Sequence, residues 1–194
     1  MEDFKNNKKY IAILDASREL FWKHGIRRVS IEEICQKAQT SKMTFYRYFN
    51  DKTDLARKVI DKFYDEGIIN FRKIVQEDTP ISEKMQKMIQ MKLEGSTDIS
   101  NEFIQDLLSN TSPELSLYFK EKMEFIYTVV INEFKIGQKD GWIRKDLNIE
   151  FMFFYFQKTA LLLADKEFLS QFRSPQEMIL EVTNLIIYGI VPRE

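Results

Sequence analysis

Apolar residues recur along this chain at intervals of three and four with no strand-length alternation, a pattern that predicts a succession of helices. Ile13, Leu14, Ser17, Leu20 and Phe21 make one stripe of a first helix over about 7–24, and Gly25 supplies a left-handed stop after it. Ser30 with Glu33 three residues on is the pair of a reciprocal N-terminal cap. Behind it Ile31, Ile34, Cys35 and Ala38 give a two-turn helix one apolar face, which breaks at Gln39-Thr40. Ser41 caps a third helix over 42–49, too short to stand without its neighbours. Asp51 and Asp54 begin a fourth over about 51–75, whose buried set is Leu55, Val59, Phe63, Ile68, Phe71, Ile74 and Val75. Gly67 falls inside that pattern, where the helix can bend.

Beyond the Thr79-Pro80 start signal the same period predicts helices near 81–94, 99–110, 113–138, 148–169 and 175–189, with 137–146, GQKDGWIRKD, as the clearest loop. Pro113 and Pro175 stand where a first-turn proline is tolerated. The fold class is therefore all-α. An N-terminal three-helix unit over 1–50 is followed by a helical bundle over 51–194, and the helix over 51–75 connects the two.

The third helix sorts its side chains by chemistry. Phe45 and Phe49, four apart, share the inward face with Tyr48 at its edge, while Lys42, Met43, Tyr46 and Arg47 turn outward. Two short helices joined by a four-residue turn, the second presenting cations and hydrogen-bonding groups, is the arrangement that lays its second helix in a DNA major groove. Ser30, Ser41 and Lys52 stand at helix starts, where a phosphate is well received, and Thr44 and the hydroxyls of Tyr46 and Tyr48 can add neutral donors to the sugar-phosphate backbone. A surface hairpin whose rings merely pack is the blander alternative.

Charge favours the first reading. Residues 1–58 carry 13 Lys and Arg against 8 Asp and Glu, a balance of +5, and the remainder carries −6, so the net −1 hides a basic head on an acidic body. Chance surface variation is the other source of such a split; a polyanionic partner is the physical one.

The residues now assembled resemble a known family, the tetracycline-repressor-like (TetR) transcriptional regulators. The likeness rests on ILDASRELF at 13–21, Gly25, SIEEICQKA at 30–38 and SKMTFYRYFNDK at 41–52, and covers roughly the first 55 residues. Where the family usually has Gly this chain has Gln39, and a non-glycine residue at positive φ costs on the order of 1 kcal/mol. The rest is similar in outline, with GWIRKD at 141–146 before two final helices. The resemblance implies a homodimer through those last two helices, a roughly palindromic double-stranded DNA operator, and repression relieved by a small molecule. The nearly all-round apolar sequence IEFMFFYFQKTALLLA agrees with a dimer helix, an unusually large monomer core being the alternative.

The body is rich in apolar and methionine side chains that can line a pocket for a hydrophobic effector: Met85, Met88, Met91, Phe103, Leu107, Phe119, Met123, Ile126, Tyr127, Phe154 and Phe172. Ordinary core packing explains each of them singly. His24 is the one histidine and Cys35 the one cysteine, so a multi-histidine metal site and an internal disulfide are excluded, and no nucleotide-binding glycine pattern occurs. No cofactor, metal or catalytic group is expected. MEDFKNNKKY lacks the apolar core of a secretory signal and no stretch is long enough to span a membrane, so a cytoplasmic protein is expected. The expectation is a ligand-responsive DNA-binding repressor that is not an enzyme. A helical carrier or enzyme for an apolar molecule is the main rival, and a helical adaptor another.

Overall fold

The computed structural model describes residues 7–108, 113–160, 162 and 165–191. In chain order the helices are α1 (Lys8–His24), α2 (Ile31–Lys37), α3 (Lys42–Tyr48), α4 (Lys52–Gln76), α5 (Ile81–Gly95), α6 (Asn101–Leu108), α7 (Pro113–Asp140), α8 (Ile149–Ala160), α9 (Lys166–Leu169) and α10 (Pro175–Ile190). There is no strand among the described residues. The chain forms two compact units, Met1–Phe63 with Asp98–Lys120, and Tyr64–Thr97 with Glu121–Glu194. The predicted head over 1–50 falls wholly in the first unit, which also takes in the start of α4, all of α6 and the start of α7.

In the first unit α1 packs against α2, α3 and α6. The predicted stripe is buried at Ile13, Leu14, Ser17 and Phe21, joined by Ile34, Cys35, Phe45, Phe49, Leu55, Val59 and Ile60. Each large apolar side chain so removed from water contributes about 1.5–3 kcal/mol before entropy is counted. Tyr10 stacks on Phe49 with ring centroids 5.2 Å apart, tying the start of α1 to the end of α3. At the other end of α1, Trp22 lies 4.2 Å from Phe103 of α6 and 5.1 Å from Phe63 of α4.

The second unit has its own core of Phe71, Ile74, Val75, Met85, Met88, Phe134, Ile143, Ile149, Phe153, Ile187 and Ile190. Buried Lys84 donates to the Val75 carbonyl at 2.6 Å and lies 5.6 Å over the Trp142 ring, so its cation closes the end of α4 without a carboxylate partner among the bonds described. α10 packs along α5, where the Gln176 amide donates to the Leu93 carbonyl at 3.0 Å.

Two expectations are corrected. The predicted loop over 137–146 begins later, because α7 runs on to Asp140 and turns at Gly141 with φ 86°. Gly137 stays helical and buried under Trp142, whose indole occupies the space a Cβ would need. The single helix predicted over 148–169 is divided: α8 ends at Ala160, and Asp165 starts α9 by accepting the N–H groups of Glu167 at 2.9 Å and Phe168 at 3.1 Å. That side chain competes for the backbone as Asp does at helix starts, which apolar periodicity does not register. Gly67 lies within an uninterrupted α4, and residues 109–110 of the predicted sixth helix lie outside the described residues.

Candidate nucleic-acid interface

The head is built on caps. Ser30 Oγ accepts the Glu33 N–H at 3.2 Å while Glu33 Oε2 takes the Ser30 N–H at 2.7 Å, so both start-of-helix donors of the reciprocal cap are satisfied. The Ser30 N–H and the Ser30 hydroxyl, both donating to Glu33 Oε2, hold that carboxyl below its ordinary range. The turn after α2 passes through Gln39 at φ 50°, and the Thr40 N–H closes on the Cys35 carbonyl at 2.9 Å. Ser41 Oγ then accepts the Thr44 N–H at 3.1 Å and lies 3.0 Å from the Thr44 hydroxyl.

On α3 the two faces are as sorted as the spacing requires. Phe45 and Phe49 are 0% and 1% exposed, their rings 5.4 Å apart, whereas Met43 and Tyr46 are 83% and 56% exposed. Lys42 and Arg47 are exposed, Thr44 is half-buried, and half-buried Tyr48 meets Tyr10 edge-on at 5.7 Å. The outer face thus joins a thioether, a phenol and two cations on one short helix.

Two lysines have partners that local sequence rules do not reveal. Lys42 is ion-paired with Glu32 of α2, which raises the lysine's pKa and lowers the glutamate's. Lys52 gives its ammonium to the carbonyls of Arg27 and Val29, each at 2.8 Å. Burial pulls its pKa down, opposed by the nearby carboxylates of Asp106 and Glu33. The ammonium expected on a phosphate is therefore committed to the turn between α1 and α2. What Lys52 still offers is its backbone N–H at the first position of α4, a position without an intrahelical acceptor. Asp51 caps that helix through the Asp54 N–H at 2.8 Å. Glu32 and Asp106 were missed from sequence because pairing across helices has no periodic signature.

The apolar residues expected to line a pocket fall in both units. Met85 and Met88 are core of the second unit. Phe103 and Leu107 are buried in the first unit, to which Phe119 also belongs. Met91, Met123, Ile126 and Tyr127 are half-buried in the second, and Phe154 is exposed beneath the Lys158 ammonium at 5.2 Å. An open hollow of about 270 Å³ lies among α8, α9 and α10, lined by Met152, Tyr155, Phe168, Phe172, Leu185 and Ile186 with a few others. Of the expected residues it contains only Phe172. On the same helices Phe151 and Phe154 of α8 and Leu185 and Tyr188 of α10 are exposed.

Among the described residues there is no group of three or more metal-ligating side chains, and no helix is long and apolar enough to cross a membrane.

The chain is similar to several known proteins. The pattern of the bacterial regulatory proteins of the tetR family matches residues 13–59, the span of the caps and of α3. The HTH-type transcriptional regulator UidR of Escherichia coli K12 is 24% identical over 138 residues, covering 70% of this chain and 69% of its own. The HTH-type transcriptional repressor KstR2 of Rhodococcus jostii is 21% identical over 154 residues, 76% of this chain and 74% of its own. Among solved structures, the transcriptional regulator FadR from Bacillus subtilis in complex with stearoyl-CoA superposes with a TM-score of 0.65 at 17% identity, covering 93% of this chain and 99% of that one.

Proposed function

We propose that this chain, a helix-turn-helix transcriptional regulator of the tetR family, places α3 in the major groove of a roughly palindromic operator and represses by occupying it. The observation that carries the reading is the sorting of α3, with Phe45 and Phe49 sealed in the core and Met43, Tyr46 and Arg47 turned out. Lys42, Met43 and Tyr46 face base edges, with Arg47 reaching a base or a phosphate. Ser30, Ser41, Thr44, Tyr48 and the backbone N–H of Lys52 hold the sugar-phosphate chain.

A homodimer through α8 and α10 supplies the second reading head, supported by the exposed apolar side chains on those two helices. Half-sites one helical turn apart, roughly 34 Å or a multiple, follow from twofold symmetry. A small hydrophobic effector acts on the second unit, a reading supported by the stearoyl-CoA complex of the FadR neighbour and by the apolar hollow. Such an effector releases DNA only through unequal affinity for the two states of the protein. The site of action is the cytoplasm, and no catalytic step is assigned.

Tyr46→Ala tests the reading. It removes an exposed ring, so far-ultraviolet circular dichroism and the melting midpoint stay at wild-type values while affinity for a duplex enriched by the wild-type protein falls at least tenfold. Equal binding by the variant removes Tyr46 from the reading face. Failure of the wild-type protein to bind duplex DNA at low salt, with retention of an apolar ligand, favours the carrier reading.

A further inference from the structure

Asp106 of α6 carries a charged side chain that is only 4% exposed, and it plays no part in the outward face of α3. Both carboxylate oxygens go to one residue of the turn between α1 and α2. Oδ2 accepts the backbone N–H of Arg27 at 2.9 Å, and Oδ1 accepts its Nε–H at 2.5 Å. The carbonyls of the same turn, at Arg27 and Val29, are the two that Lys52 holds. The helix lies as close to the turn as glycine permits. At Gly25, φ 79°, a Cβ would meet Asp106 Oδ2 at 2.8 Å and Glu102 Cβ at 3.0 Å. Ser100 adds a bond from its N–H to the Trp22 carbonyl at 2.9 Å, at the end of α1.

The Ser30 cap follows this turn directly, so α2 begins where a short segment with claimed N–H and C=O groups releases it. A shift of about 1 Å takes a hydrogen bond out of range, and a buried carboxylate stripped of its donors is costly. The start of α2 and α6 therefore keep their spacing or break Asp106 free. Sequence-specific readout needs α3 held to within a fraction of an ångström of the base edges.

We infer that Asp106 is a positioning residue for DNA reading: by fixing the α1–α2 turn it sets where α2, and through it α3, stands. This rests on the proposed function. Generic attraction to phosphate needs no such precision, so the residue contributes to sequence discrimination and not to the electrostatic part of binding.

The test compares two probes, a duplex enriched by the wild-type protein from a random library and a scrambled duplex of the same composition, titrated by fluorescence anisotropy over a range of salt. Asp106→Asn keeps the shape and one acceptor. It is expected to lose about tenfold on the enriched duplex, with affinity for the scrambled one and the slope of log K against log salt unchanged. Arg27→Lys keeps the cation and the backbone bond and loses the Nε leg, so it shows a smaller loss of the same kind even if Asp106→Asn melts below the assay temperature. A purely stabilising role leaves the folded variants' discrimination at the wild-type value and overturns the inference. Equal losses on both duplexes with a shallower salt slope overturn it too. If the wild-type protein enriches no duplex, the DNA reading fails and takes this inference with it; if it does and both variants match it, this inference alone fails.

Discussion

The exposed pair between Lys42 and Glu32 is a choice the head makes at single-residue scale. A surface pair of this kind stabilises a fold by little, so its consequence is for binding. Glu32 sets a negative charge beside the surface assigned to phosphates and engages the first cation of α3. Replacing it by Gln leaves Lys42 free to meet the polyanion. Glu32→Gln is expected to raise affinity severalfold for duplexes of any sequence and to steepen the salt slope by up to about 1, read from titrations at several salt concentrations. If neither quantity changes, Lys42 does not reach DNA.

Among the elements, the turn between α2 and α3 carries the one local cost legible in advance. Gln39 occupies φ 50°, where a side chain is disfavoured and glycine is at ease. Gln39→Gly relieves that strain while loosening the unfolded chain, so a net gain between zero and about 1 kcal/mol is expected from urea denaturation at unchanged m-value. A clear loss instead would mean that the glutamine side chain supports the turn. The division of the region after Ile149 into α8 and α9 belongs to the same scale. Asp165 restarts the helix by taking two N–H groups, a local capping event inside a sequence whose apolar content reads as continuous.

For the whole molecule, α4 and α7 each contribute to both compact units, so neither unit is a separate stretch of chain. The largest question at this scale is association. Leu185 and Tyr188 are 66% and 68% exposed on α10, apolar surface that a lone chain leaves in water. Burying a charge there without a partner is expensive. Leu185→Glu, alone or with Tyr188→Glu, is therefore expected to shift a dimer to monomer in sedimentation equilibrium. Affinity for a two-half-site duplex should then fall by more than a hundredfold and approach that for one half-site. A wild-type protein that sediments as a single chain at micromolar concentration would remove the dimer.

Features that depend on neighbours within one or two turns are readable from the order of residues. The starts of α2 and α3 were legible because Ser30 meets Glu33, and Ser41 meets Thr44, three residues away. The burial of Phe45 and Phe49 followed from helical spacing alone, and with it the outward face on which the DNA reading stands. Tertiary structure decided everything that joins distant segments. Lys52 finds its carbonyls 25 and 23 residues back, and Asp106 finds Arg27 across 79 residues, pairings that no periodicity encodes. It likewise set Met85 and Met88 in the buried core of the second unit and Phe172 beside an open hollow, because whether an apolar side chain fills space or borders it depends on the volume its neighbours leave.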